Sequence, residues 1–187
     1  MELNLKNDIV FKALFAKKGN EKYLKSFLQA LLNEKVDKIE ILRRSKPFEN
    51  EKTDKLGRLD IKATINESKI VNIEIQLRDR KDMEQRTEVY GAKLITEQLG
   101  KGDEYTNLKP VILINILDYE MLDVPEYCTK TVTVADKHRD YEVVKDVTYW
   151  FIELPKFRKS KPKLANLLEC WLALIDSRDR GLIKMAE

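Results

Sequence analysis

The sequence predicts an α/β fold, a mixed β-sheet flanked by α-helices, and three stretches carry that prediction. Residues 58–77 alternate apolar and polar side chains as two strands folded back on each other, with Leu59, Ile61, Ala63 and Ile65 in the first and Val71, Ile73, Ile75 and Leu77 in the second. Residues 78–100 hold the strongest helical periodicity, Met83, Thr87, Tyr90, Leu94 and Gln98 recurring by three and four, with Gly100 as the expected stop. Pro110 then introduces PVILINIL, a continuous apolar run of the kind buried on both faces. A strand, a long helix and another strand make a crossover unit, which sets the second strand parallel within the same sheet.

The loop of the hairpin decides which side chains meet. Side chains alternate between faces along a strand, so Asp60 and Glu74 share a face only if paired residue numbers sum to an even value. A three-residue loop at Asn66, Glu67 and Ser68 does this and sets Asp60 opposite Glu74, with about 5 Å between Cβ atoms. A two-residue loop would bury one polar set, so the odd-length loop is expected. The polar face would then gather Asp60, Lys62, Glu74 and Gln76. Two carboxylates that close repel, and a proton or a hard divalent cation such as Mg²⁺ relieves the repulsion. The solvated face of an ordinary strand explains the same residues, and periodicity alone does not choose between them.

The remaining elements follow in order. Asn7 and Asp8 offer N-caps to a short helix with Val10, Phe11, Leu14 and Phe15 on one face. Gly19 and Asn20 separate it from a helix over residues 21–32, and a short strand is expected within 36–42. Residues 45–57 are polar, with Pro47 and Gly57, and read as a surface loop in which Lys52, Lys55 and Arg58 could meet phosphate or only water. In the long helix, Arg86 and Lys93 lie seven apart, suited to phosphate or to a wet face. Residues 127–135 and 147–154 read as strands joined by the turn ADKHRD. The basic run KFRKSKPK, residues 156–163, reads as a linker or a nucleic-acid contact, ahead of a helix over 164–175. One domain over 1–187 is expected, with a core at about 7–157 and a basic linker plus helix beyond it. The charged end hints at a truncated C-terminal region.

Composition narrows the class further. The net charge is +3 and 36% of the 187 residues are charged, a balance that permits nucleic acid as a partner without requiring it. Cys128 and Cys170 have no second Cys or His at zinc spacing and read as buried thiols of a reducing compartment. The single histidine, His138, sits in a polar turn, which disfavours a His-based triad. There is no P-loop, Rossmann glycine pattern or G-x-S-x-G. No apolar run approaches the ~20 residues of a membrane span, so a soluble, cytoplasmic protein without membrane association is expected.

Seven collinear stretches together resemble one family. They are NDIVFKALF at 7–15, FLQALLNEKVDKIEIL at 27–42, GRLDIKA at 57–63, NIEIQLRD at 72–79, QRTEVYGAKL at 85–94, GDEYTNLKPVILINILDY at 102–119 and FIELPKF at 151–157. The chain resembles the Rpn recombination-promoting nucleases, also described as PD-(D/E)xK nuclease family transposases. That resemblance implies a restriction-endonuclease-like core and divalent-metal-dependent cleavage of DNA, in recombination or in a mobile-element or defence setting. It matches Asp60 to the motif aspartate, Glu74 to the acidic residue, and Gln76 to the place where the wider superfamily usually has lysine. Asp8 matches an acidic position in the N-terminal helix, and Arg86 and Tyr90 match the helix behind the site.

The implied chemistry has Asp60 and Glu74 holding Mg²⁺, with Mn²⁺ as a substitute, and Gln76 orienting a water. Glutamine takes no proton, so the general base stays open between the ion's own water and Lys62. DNA is the expected partner, contacted by Arg58, Arg86, Tyr90 and Lys93, and analogy with two-strand cutters suggests a homodimer. The alternative is a nuclease-like fold acting as a DNA-binding or partner-regulating module with little catalysis.

Overall fold

The computed structural model describes residues 5–6, 8–42 and 61–176. Its strands are β1 (Ile39–Ile41), β2 (Ile61–Ile65), β3 (Lys69–Gln76), β4 (Val111–Leu117), β5 (Cys128–Ala135) and β6 (His138–Glu153). They form one six-stranded sheet in the order β1-β2-β3-β4-β6-β5. β3 and β6 both run parallel to β4, while β1 pairs with β2, β2 with β3 and β5 with β6 in antiparallel fashion. The helices are α1 (Asp8–Phe15), α2 (Glu21–Leu32), α3 (Met83–Thr96), α4 (Leu154–Lys159) and α5 (Leu167–Asp176).

The turn between β2 and β3 has three residues, as expected: Ile65 pairs with Lys69 and Ile61 with Ile73. Asn66 and Glu67 take left-handed backbone conformations, φ 50° and 58°, which asparagine tolerates better than most residues. The Asn66 side chain also fastens the turn to the segment before β1. Its Oδ1 accepts from the Asp37 and Lys38 amides at 2.8 and 3.1 Å, and its Nδ2 donates to the Lys35 carbonyl at 2.9 Å.

The sheet has a core on each side. On one face Ile61, Ala63, Ile65, Val71, Ile73, Ile75, Ile112, Ile114, Ile116 and Ile152 meet α1, α2 and α5. An aromatic knot locks those helices: Phe15 lies 5.7 Å from Phe27 and 5.6 Å from Trp171 between ring centroids. On the other face α3 lays Tyr90 and Leu94 on Ile70, Val111 and Leu113, and Met83 on Leu117 and Phe151. Gly91 lets α3 approach closely, since a Cβ there would stand 3.3 Å from the Tyr149 hydroxyl and 3.5 Å from Leu113 Cδ1. A glycine in mid-helix, usually a weakness, thus serves the helix–sheet contact.

Several expectations need correction. β3 has no wet face: Ile70 through Ile75 are all buried, because α3 covers the side that alternation marks as polar. Leu77 falls beyond the strand and is 47% exposed. α3 ends at Thr96, four residues before Gly100, and Gln98 closes the following loop by bonding both the amide and the carbonyl of Lys109. β6 is twice the expected length, so the turn shrinks to Asp136 and Lys137 and His138 begins the strand, exposed.

Only the first part of the basic run departs from a solvated linker, for Lys161 and Lys163 lie past α4, exposed and outside any helix or strand. Its first residues form α4, and Lys156 Nζ lies 2.6 Å from both Glu153 Oε2 and the Leu122 carbonyl. Arg158 bonds Asp118 at 3.1 Å and Asp176 at 2.7 Å, the two carboxylates that Lys6 also pairs with. These cations are consumed holding α4, α5 and the end of β4 together, so they offer little to a nucleic acid. The expected helix after the run starts at Leu167 and sends Trp171, Leu172, Ala173 and Ile175 into the main core.

Candidate active site

Alternation and register fix what lies under α3. Reading across the strands, Lys62 pairs with Asn72, Glu74 with Asn115 and Gln76 with Leu117. Lys62, Asn72, Glu74 and Gln76 therefore occupy the α3 side of the sheet, because the odd-numbered residues between them belong to the opposite core. The structure brings Glu74 and Gln76 together with Lys62 on this side. The Asp8 side chain, Arg58 and Asp60 lie outside the described residues.

Glu74 is the centre of the arrangement. Its side chain has no solvent exposure, yet it stands on a central strand where an apolar residue would pack. Arg86, from the first half of α3, approaches its Oε2 with Nε at 3.3 Å. The guanidinium also lies 5.0 Å from the centroid of the Tyr90 ring, one turn further along the helix. Tyr90 itself is buried in the packing between α3 and the sheet. Of the residues expected to face DNA, Arg86 and Tyr90 thus serve the buried carboxylate and its surroundings.

Lys62 faces elsewhere. Its Nζ lies 2.8 Å from Glu97 Oε2, just past the end of α3, and Lys93 Nζ is 3.9 Å from the other oxygen of the same carboxylate. A rise of about 1.5 Å per residue separates Arg86 from Glu97 by about 16 Å along the helix, so the ammonium is drawn away from the Glu74 end. Sequence periodicity gave no hint of Glu97, whose role depends on where the helix stops.

Other buried polar groups share this layer. Asn72 and Thr87 are buried, and neither Asn72 Oδ1 nor Thr87 Oγ1 has a hydrogen-bond partner among the described residues. Asn115 Nδ2 reaches the Trp150 carbonyl at 3.4 Å. Beyond the end of β3, Asp79, Met83, Glu84, Gln85 and Glu120 help line a cavity of about 200 Å³. Hydrogen bonds from Lys81 hold Asp79 below the usual carboxylate range there. Glu153 props the neighbouring loop, its Oε1 accepting from the amides of Met121 and Leu122.

Glu74 and Gln76 supply hard oxygen donors of the type Mg²⁺ prefers. Among the described residues, no group of three or more His, Cys, Asp or Glu is placed to hold a metal ion. No helix among those residues is long and apolar enough to cross a membrane.

A mixed sheet flanked by helices, with a buried carboxylate on a central strand beneath the crossover helix, is an α/β fold consistent with the restriction-endonuclease type. The family comparison agrees: residues 5–187 match the model described as PD-(D/E)XK nuclease family transposase, and the chain belongs to that family. No curated protein and no solved structure matches it.

Proposed function

We propose that this protein is a divalent-metal-dependent DNA endonuclease that hydrolyses phosphodiester bonds, acting in recombination or in a mobile-element or defence setting. The observation that carries the reading is Glu74, a carboxylate with no exposed surface on β3, in a chain of nuclease family. Burying a charge costs several kcal/mol that an apolar side chain of similar size would spare, to order of magnitude. Metal chemistry gives a reason for a carboxylate at that place.

In this reading Asp60 and Glu74 hold Mg²⁺ or Mn²⁺, and Gln76 orients the attacking water. The even register of β2 and β3 supports Asp60 as partner, since one further pair in the same register would set it opposite Glu74. The ion, when bound, lowers the pKa of its water and offsets charge developing on the phosphate. Arg86 orients the Glu74 carboxylate from the α3 side. Lys62 and Asp8 are auxiliary groups, Lys62 as a proton acceptor once released from Glu97, while Arg58 and Lys93 face the DNA backbone. Asp60→Ala and Glu74→Ala should each abolish Mg²⁺-dependent nicking of supercoiled plasmid, with circular dichroism unchanged. Undiminished cutting by either purified variant would refute the assignment.

One observation favours a second reading, a nuclease-like DNA-binding module with little catalysis. Glu74 is enclosed and engaged by a guanidinium, as a carboxylate with a purely structural role would be. Tight DNA binding indifferent to EDTA, with no calorimetric signal for Mn²⁺, would select this reading. A Mn²⁺ signal lost in Glu74→Gln would select the enzyme.

A further inference from the structure

We propose that the outer half of the β5–β6 ribbon is a self-association arm whose partner is a second copy of this chain. β6 pairs with β4 only from Val147 to Glu153, so among the described residues β5 is the one strand that pairs with 138–146, which extend past the sheet. Two-stranded ribbons are marginally stable in water unless something covers them. This one exposes apolar side chains: Val132 39%, Tyr141 65%, Val143 54% and Val144 50%. None of the four belongs to the apolar clusters of the core.

Charge indicates what covers them. Residues 130–146 contain four Lys or Arg and four Asp or Glu, so the arm is neutral in a chain of net charge +3. A polyanion such as DNA needs a net basic surface, and this arm would set acids against phosphate. A two-fold contact has the opposite requirement. Residue i meets j while j meets i, so the patch must carry both signs together with apolar surface to bury. The arm carries all three. Register irregularities between Thr131 and Ala135 distort the outer edge of β5, which discourages open-ended strand addition and favours a closed pair.

The test is the mass of the full chain in solution, by sedimentation velocity over a wide concentration range. A reversible dimer is expected, and Tyr141→Ser with Val143→Asp should weaken it about 30-fold or more, with circular dichroism and melting unchanged. A wild-type chain that stays monomeric at every concentration overturns the proposal. So does a double variant that dimerises as tightly as wild type, or one that loses DNA affinity from a monomeric parent. Should the double variant fail to fold, hydrogen exchange on the wild type decides. Amides of residues 131–146 should exchange more slowly as concentration rises while those of β1 do not, and concentration-independent exchange in the arm overturns the idea.

Discussion

Arg86 Nε lies 3.3 Å from Glu74 Oε2, so a carboxylate sealed inside the sheet is met by a guanidinium that is itself 27% exposed. The two ends of this pair differ in their access to water, and substitutions should show it. Arg86→Ala leaves the carboxylate buried without that guanidinium and should cost about 2–4 kcal/mol. Glu74→Ala leaves an arginine that can turn to solvent, and should cost less. Combining Glu74→Met with Arg86→Leu should recover most of the loss in urea denaturation while plasmid nicking stays absent. Strictly additive losses in the double variant would show that the pair is not coupled.

Lys62 is fastened to Glu97 at 2.8 Å, which separates two roles for it. If it accepts a proton during cleavage, Lys62→Met should slow nicking by about 100-fold, and Glu97→Gln should alter the pH–rate profile. If it serves only to tie β2 to the end of α3, Lys62→Met should lower the melting temperature and leave the rate per folded molecule unchanged.

The polar groups under α3 are not all equally needed. Thr87 Oγ1 is buried without a hydrogen-bond partner among the described residues, so Thr87→Val should be neutral or stabilising by up to about 1 kcal/mol. Gly91→Leu should cost at least about 1–3 kcal/mol, because the larger side chain must push α3 off Tyr149 and Leu113. Thermal melts of the two variants should therefore move in opposite directions, or Thr87→Val not at all. A stabilised Gly91→Leu would contradict the close approach of α3.

Alkaline pH should loosen the fold through two partly buried acids. Burial, reinforced by the charges of Asp79 and Asp82, pushes the Tyr119 hydroxyl from 10.0 up to about 12. Burial does the same for the Cys128 thiol, from 9.0 to about 12. The unfolded chain releases these protons first, so the folded state holds more of them across that interval and stability falls as pH rises. The loss should begin near the unfolded values and level off above the folded ones. Tyr119→Phe and Cys128→Ala should each flatten part of the decline in urea midpoints. A decline of unchanged slope in both variants would place its origin elsewhere.

Much of this architecture could be read from side-chain periodicity. The α3 stripe from Met83 to Leu94 and the doubly buried β4 follow from spacing alone, because each is a local pattern with one geometric solution, whereas the three-residue turn is one of two loop lengths that the alternation allows. What escaped were features set by distant packing. β3 looked half-wet because its polar residues alternate, yet α3 lies over them. The cations of residues 156–159 looked free because their partners, Asp118, Glu120, Glu153 and Asp176, are mostly remote in sequence. Within the candidate site, the shared face of Lys62, Glu74 and Gln76 was predictable. The guanidinium over Glu74 and the Glu97 latch on Lys62 depend on how α3 is rotated and where it ends, and no local signal encodes either.

Asn66 binds the β2–β3 turn to residues 35–38 through three hydrogen bonds, and those bonds act as a ruler for the hairpin. A single residue inserted between Ile65 and Lys69 would exchange inside for outside along the whole of β2. Lys62 would enter the oily interior and Ile61 would take its place beneath α3. On the proposed function, such an insertion should abolish nicking as thoroughly as deleting a carboxylate, while leaving every candidate residue present in the chain.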